Sequence, residues 1–141
     1  MRCLGLDIGD RWIGVALSDP GGILASPFCI IERIDDDQAI AAIADIINKE
    51  QVGQVVVGLP LSLNGTLSGQ AEKVNDFAWK LSEHIKTPVE FRDERLTTVM
   101  AQRLKRESGG KKGRGKVRYD SRAAALILQN YLEESLPPKL T

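Results

Sequence analysis

The fold of this chain is decided by residues 2–19, which read RCLGLDIGDRWIGVALSD. Two apolar runs in this stretch are separated by Gly9-Asp10, and glycine with aspartate favours the positive-φ backbone of a tight hairpin turn. Because side chains alternate across a strand, the bulky residues fall on one face of the two strands and the small residues on the other. The stretch therefore predicts an antiparallel hairpin with one bulky apolar face and one small face.

Asp7 lies on the small face, near the end of the first predicted strand. A carboxylate among strand residues is costly to desolvate, so it is normally solvated, paired or bound to a metal. Aspartate is also common at turns, and on these residues alone Asp7 fits a turn equally well. The bulky face comprises Leu4, Leu6, Ile8, Ile13, Val15 and Leu17, and the small face comprises Cys3, Gly5 and Asp7 with Trp12, Gly14 and Ala16.

Composition is typical of a soluble globular protein. The chain has 141 residues, 43% of them hydrophobic and 27% charged, which predicts one domain over 1–141 with a sizeable core. It has no apolar run long enough to span a membrane and no signal-peptide pattern at its start, so we expect a cytoplasmic protein. Cys3, Cys29 and His84 are too few for a catalytic triad or a zinc site; buried free thiols and a solvated imidazole are expected.

Positive charge is concentrated in one segment, although the formal net charge is zero. Between Arg103 and Arg122 the chain has nine basic and only two acidic side chains. Such clustering indicates contact with nucleic acid. Residues 108–118 are basic and rich in glycine, which predicts a mobile loop, and residues 136–141 read as a tail.

Periodicity along the rest of the chain predicts an α/β fold. A turn at 19–22 and a strand at 24–31 complete an antiparallel meander, in which Pro27 suits an edge strand. The apolar run 54–58 is typical of a parallel strand buried on both faces, and a further strand begins at Val89. Helices are predicted to begin at 35–37, to run over 67–85, to follow Thr98 and to run over 119–134. We expect a mixed five-stranded sheet, three strands antiparallel and then two parallel, flanked by helices.

Further acidic residues are candidates for one site with Asp7. Asp93-Glu94 follows a predicted parallel strand, at the edge where open α/β sheets bind ligands. Asp120 continues the apolar stripe of the last helix and is expected to face the sheet. Each has a structural alternative: a turn balanced by Arg92 and Arg95 for the pair, and a helix N-cap for Asp120.

These carboxylates would converge if the last helix packs across the first strand. Carboxylates without histidine or thiolate are the ligands that Mg²⁺ or Mn²⁺ prefers. Such ions can bind a phosphodiester, activate water and stabilise the leaving oxygen. The basic loop directly precedes Asp120, where it could hold a nucleic-acid backbone. Its predicted substrate-binding residues are Lys111, Lys112, Arg114 and Lys116.

Several short motifs together cover nearly the whole chain. They are LGLDIG at 4–9, VGLP at 57–60 with NGT at 64–66, DERLTT at 93–98, and Asp120-Ser121 with Ala124. In these motifs the chain resembles the YqgF (RuvX-type) family of bacterial RNase H-like proteins, and DERLTT is the most specific of them. Arg118-Tyr119 departs from the family pattern; we expect Tyr119 in the core rather than stacked on a base.

The resemblance implies an RNase H-like fold with Asp7, Glu94 and Asp120 as the catalytic carboxylates, holding Mg²⁺ or Mn²⁺. It also implies a hydrolase that processes the 5′ end of precursor small-subunit (16S) ribosomal RNA. Arg95 and Thr97 are candidates for phosphate contacts. The alternatives are a non-catalytic RNA-binding factor in ribosome assembly and a resolvase of Holliday junctions in DNA. We expect a monomer or weak homodimer whose partner is nucleic acid and not a membrane.

Overall fold

The computed structural model describes residues 1–60, 69–93 and 121–135. In these ranges a five-stranded sheet has the order β3-β2-β1-β4-β5. Strand β1 is antiparallel to β2 and parallel to β4, and β5 is parallel to β4. The predicted mixed sheet is confirmed. Its elements are β1 (Arg2–Ile8), β2 (Trp12–Ser18), β3 (Ala25–Glu32), α1 (Asp36–Glu50), β4 (Val52–Leu59), α2 (Gly69–His84), β5 (Val89–Asp93) and α3 (Arg122–Ser135).

The bulky face of the β1–β2 hairpin forms the larger core. It packs against α1 and α2, whose buried stripes include Ile43 and Phe77. Burial of these apolar side chains is the main stabilising contribution to such a fold. On the sheet, this core contains Leu4, Leu6, Ile8, Ile13, Val15, Leu17, Ile31, Val52, Val55 and Val57.

The small face forms a second core beneath α3. Val56 contributes to this core, whereas Val55 and Val57 contribute to the other, so β4 is buried on both faces as predicted. A Cβ atom at Gly5 would lie 2.8 Å from the Leu128 Cβ and 2.9 Å from the Ala124 carbonyl oxygen. Only glycine therefore allows α3 to lie this close to β1.

Helix α1 begins where its acidic residues predict. The Asp35 side chain caps it by accepting a 2.8 Å hydrogen bond from the Gln38 N–H. Asp36 and Asp37 occupy the first turn, where negative charge is favourable because the helix dipole is positive there. The helix ends at Gln51, whose φ of 54° is left-handed.

The β1–β2 turn differs from the prediction. Residues 9–11 form the loop, and the Gly9 N–H donates to the Trp12 carbonyl at 2.9 Å. Among the described residues, positive φ angles occur only at Gln51 and Gly22, so the positive-φ turn predicted at Gly9-Asp10 is wrong. A third loop residue, Arg11, spreads the reversal over more backbone and removes the need for left-handed geometry.

The following turn is stabilised by Asp19. Its carboxylate accepts hydrogen bonds from the N–H groups of Gly21, Ile23 and Leu24 at 3.2, 2.7 and 2.8 Å. These hydrogen bonds lower the pKa of Asp19 because they favour its charged form, and the bond from Leu24 has the largest effect. Strand β3 begins after this turn, one residue later than predicted, and forms the sheet edge, as Pro27 indicated.

The predictions about the cysteines are confirmed in part. Cys3 and Cys29 are free thiols, and burial raises the pKa of both, but only Cys3 is buried, because Cys29 lies on the edge strand β3 and is partly exposed. His84 is exposed. No helix in the described ranges is long and apolar enough to cross a membrane. The helix predicted after Thr98 lies outside the described residues.

The contact of α3 with Gly5 yields the first prediction. Gly5→Ala adds a methyl group where backbone and Cβ atoms of α3 already stand, so α3 must move away from β1. We expect the free energy of unfolding to fall by about 1–3 kcal/mol, measured by urea denaturation. Gly69→Ala is the matched control, because a Cβ there meets nothing within 4 Å. Equal stability of the two variants would contradict this account.

A charge cluster at the start of α1 yields a pH-dependent prediction. Burial raises the pKa of Asp36, but hydrogen bonds from Lys80 and Arg33 outweigh it, and the pKa lies below its usual value. The contribution of a carboxylate with a lowered pKa is present above its unfolded-state pKa of about 4 and is lost as pH falls through the folded-state pKa. Asp36→Asn should therefore cost about 1 kcal/mol near pH 7 and less near pH 3.

The control for this measurement is Asp45→Asn. Asp45 pairs with Lys49 at 3.0 Å, but both side chains are more than half exposed, at 59% and 71%. An exposed pair of this kind contributes little. Unfolding free energies of both variants across the acidic range separate the two cases; a constant difference between Asp36→Asn and wild type would count against the charge cluster.

Candidate active site

Asp7 is fully buried on the small face of the central strand. Its antiparallel partner on β2 is Gly14. On the other side, Gly58 follows Val57, the residue of β4 paired with Leu6, and so lies level with Asp7. The carboxylate is therefore flanked on both neighbouring strands by residues without side chains.

The carboxyl ends of the parallel strands lie at the edge of the sheet near Asp7. Strands β1, β4 and β5 end at Ile8, Leu59 and Asp93, and Leu59 pairs with Asp93. Asp93 is exposed. Carboxyl ends of parallel strands are where open α/β sheets bind ligands. Glu94 follows Asp93 directly in sequence and lies outside the described residues.

Helix α3 runs so that its first residues lie towards Asp7. Gly5 lies level with the segment between Ala124 and Leu128, and Gln129 lies towards the beginning of β1, as its contacts with β3 show. Two strand residues rise about 6.6 Å, which about four helical residues match. Asp7 lies two residues after Gly5, so it is level with a point about four residues before the α3 segment that contacts Gly5. That point corresponds to Ser121, which is only 8% exposed.

Contacts on both flanks hold α3 in this position. Towards β3, the Gln129 side chain accepts from the Ala25 N–H at 2.8 Å and donates to the Ile23 carbonyl at 3.1 Å. Towards β5, Arg92 pairs with Glu134 at 2.9 Å, and its guanidinium lies 5.0 Å from the centre of the Tyr131 ring. The second contact ties α3 to the strand that Glu94 follows in sequence.

The loop after Asp7 is fixed by Arg33. Its Nη1 donates to the Gly9 carbonyl at 3.0 Å, and its Nε donates to Asp36 at 2.9 Å. The guanidinium also lies 4.7 Å from the centre of the Phe77 ring. The Arg33 side chain therefore connects the β1–β2 loop to both α1 and α2. This restraint keeps the C-terminal end of β1, and Asp7 with it, in a fixed place.

Of the predicted site residues, the structure places Asp7 alone. Three further predictions also fall outside the described residues: Tyr119, which was expected in the core, the basic loop 108–118 and the tail 136–141. In residues 1–60, 69–93 and 121–135, no three side chains of the His, Cys, Asp and Glu types are grouped to hold a metal. The structure gives the position of Asp7, and its catalytic and metal-binding role stays a prediction. The same holds for Glu94, Arg95, Thr97, Lys111, Lys112, Arg114, Lys116 and Asp120, which lie outside the described residues.

Two side chains near Asp7 did not emerge from the sequence as candidates. Trp12 begins β2, two residues before Gly14, and Arg11 lies 5.3 Å from the centre of its ring. Period-two alternation already placed Trp12 on the small face with Asp7. The residues of β3 next to Trp12 depend on the β2–β3 register. This register contains an irregularity that the sequence pattern does not reveal.

Solved structures with a similar fold include two resolvases. The structure of T. thermophilus RuvC in complex with Holliday junction substrate has a TM-score of 0.58 at 15% identity, over 95% of each chain. That of fowlpox virus resolvase with substrate Holliday junction DNA has a TM-score of 0.56 at 13% identity, covering 97% of this chain and 100% of that one. They confirm the RNase H-like fold class.

Relatives at higher identity cover nearly the same length. A Dehalococcoides mccartyi protein named "Putative pre-16S rRNA nuclease" is 50% identical over 131 residues, 93% of this chain and 97% of the relative. A Thermoanaerobacter pseudethanolicus protein with the same name is 45% identical over 134 residues, 94% and 96% of the two chains. The family model described as "RuvX: Holliday junction resolvase" matches residues 1–134. The chain belongs to the RuvX family.

Proposed function

We propose that this protein is a nuclease that hydrolyses phosphodiester bonds with a divalent cation, Mg²⁺ or Mn²⁺, and processes the 5′ end of precursor 16S ribosomal RNA. The observation that carries the proposal is the complete burial of Asp7 on the small face, between two glycines. Asp7 lies near the carboxyl ends of the parallel strands, where open α/β sheets bind ligands, and carboxylate oxygens are ligands that Mg²⁺ and Mn²⁺ prefer. The names of the relatives at 45–50% identity support the substrate.

The donor set fits a hard divalent cation. Asp7 supplies carboxylate oxygens from β1, and we assign the other ligands to Glu94, next after β5, and Asp120, next before Ser121. Carboxylates alone are the ligands that Mg²⁺ and Mn²⁺ prefer, whereas zinc and copper sites usually include imidazole or thiolate ligands. When bound, such an ion polarises the phosphodiester and lowers the pKa of water. The chain's own contribution is to hold the three carboxylates on elements that are fixed by Arg33 and Arg92.

The substrate is held outside the sheet by positive charge. We assign phosphate contacts to Arg95 and Thr97 beside Glu94, and to Lys111, Lys112, Arg114 and Lys116 in the segment before Asp120. Cations placed before a catalytic carboxylate in sequence can bring a polyanion to it without reading its bases.

The decisive variant is Asp7→Asn. It keeps the size of the side chain and removes the charge that holds a cation, so hydrolysis should fall by more than about a hundredfold, since even outer ligand partners are worth 10–100-fold. The measurement is cleavage of a precursor 16S RNA fragment with and without Mn²⁺. Asp10→Asn is the control, since Asp10 lies in the adjacent loop and is 67% exposed, 3.7 Å from Lys73.

Each result of this assay decides between functions. Unchanged cleavage by Asp7→Asn would overturn the assignment of the site. Binding of the RNA without cleavage by wild type, and without calorimetric Mg²⁺ or Mn²⁺ binding, would favour an RNA-binding assembly factor. Cleavage of a four-way DNA junction but not of the RNA would favour the resolvase activity that the description of the family model names.

Replacing Lys111, Lys112, Arg114 and Lys116 together by alanine tests the substrate contacts. Each lost contact to a single-stranded phosphate should reduce the slope of log affinity against log salt by about 0.7. Four lost contacts would flatten it by about three. The control is Lys49→Ala with Lys86→Ala, which removes cations from the segments before β4 and β5, at the opposite edge of the sheet. An unchanged slope in the fourfold variant would remove the basic segment from the substrate path.

A further inference from the structure

The small face extends past Asp7 to an aromatic side chain. Trp12 and Gly14 lie on the same face of β2, because Ile13 between them belongs to the core on the other face. Gly14 is paired with Asp7, and Trp12 lies two positions before Gly14 on β2. The Cα atoms of Trp12 and Asp7 are therefore about 8 Å apart. This is comparable with the reach of one nucleotide from its base to its phosphate.

Ile30 completes an apolar surface next to the indole. Ile30 pairs with Gly14 and Glu32 pairs with Trp12, so Ile30 is the diagonal neighbour of Trp12 on the same face. It is 37% exposed, and Trp12 is half-buried. Gly14 adds no side chain between them and Asp7. Gly14 and Asp7 are themselves buried, so the exposed apolar surface of Trp12 and Ile30 ends beside the buried carboxylate.

Positive charge lies directly beside this apolar surface. The Arg11 guanidinium is 5.3 Å from the centre of the Trp12 ring, and its side chain is 73% exposed. It is 3.6 Å from Glu32, which is itself 46% exposed. An ion pair this exposed contributes little free energy. Arg11 can therefore leave Glu32 and contact a phosphate with only a small loss of stability. An aromatic face with an adjacent arginine is the arrangement that binds single-stranded nucleic acid.

We propose that Trp12 and Ile30 form a stacking platform for one unpaired nucleobase, and that Arg11 contacts the phosphate attached to it. The inference rests on the proposed function, because it assigns to this platform the nucleotide next to the phosphodiester at Asp7. A base can reach the indole only when it is unpaired and unstacked. The platform therefore selects single-stranded substrate at the cleavage position.

The chain contains two tryptophans, which allows the platform to be observed directly. Trp79 lies on α2, beside residues of the core on the other face of the sheet, and is 62% exposed. Trp79→Phe leaves Trp12 as the only tryptophan, and Trp12→Phe leaves Trp79. Each protein is titrated, without divalent cations, with a short single-stranded oligoribonucleotide and with the same backbone carrying abasic residues. Fluorescence is recorded throughout.

We expect the oligoribonucleotide to quench Trp12 and to leave Trp79 unchanged, and the abasic backbone to quench neither. Trp12→Ala should weaken binding by about tenfold, the value of one stacked base, whereas Trp79→Ala should not. Trp12→Phe keeps an aromatic ring and should retain most of the affinity, which separates loss of stacking from misfolding. Arg11→Gln should weaken binding of both probes.

Equal quenching of the two tryptophans, or unchanged affinity of Trp12→Ala, would overturn the platform. These titrations need no cleavage, so they are independent of the nuclease assay. Quenching of Trp12 in a protein that hydrolyses nothing would reject the proposed function and keep the binding site. Hydrolysis by a protein whose Trp12 is not quenched would reject the platform alone.

Discussion

The contact between α3 and Gly5 is the constraint on which the rest of the structure depends. A side chain at this position would overlap the Leu128 Cβ and the Ala124 carbonyl, so the helix lies directly on the backbone of β1. Tight packing of this kind permits few alternative positions. The helix register along β1 is consequently fixed, and with it the level at which α3 begins. That level is the level of Asp7, so one steric condition determines both the second core and the neighbourhood of the buried carboxylate.

The two faces of the sheet divide stability and chemistry between them. The face under α1 and α2 is filled by branched aliphatic side chains and Phe77 and supplies most of the buried apolar surface. On the face under α3, Asp7 lies between Gly14 and the level of Gly58, so neither neighbouring strand has a side chain at that level. Buried carboxylates destabilise a fold unless they are compensated. The large core on the opposite face can offset the cost of desolvating such a carboxylate.

Much of this arrangement could be predicted from the sequence, because strand alternation is a strictly local rule. It assigned the strand residues of the hairpin to their faces, and the uninterrupted apolar run at 54–58 predicted a strand buried on both sides. The beginning of α1 at 35–37 was likewise predicted from a local preference, that of acidic residues for the first turn of a helix. The geometry of the β1–β2 turn did not follow, because two turn-forming residues do not determine whether a third joins the loop. Of the candidate site, the face on which Asp7 lies was predicted correctly, whereas the catalytic roles of Asp7, Glu94 and Asp120 stay predictions.

What the sequence could not supply are contacts of long side chains between distant elements. Arg33 joins the Gly9 carbonyl, Asp36 and the Phe77 ring, which lie in three different elements, and no periodicity relates these positions. The neighbourhood of Trp12 and Ile30 has the same origin, since it depends on a β2–β3 register that shifts between Val15 and Ala16. Without that irregularity, every residue of β3 before it would change its partner by one position and its face. The irregularity therefore lets β3 place Ile30 on the face of Asp7 while Ala25, on the other side of the shift, still meets Gln129 of α3.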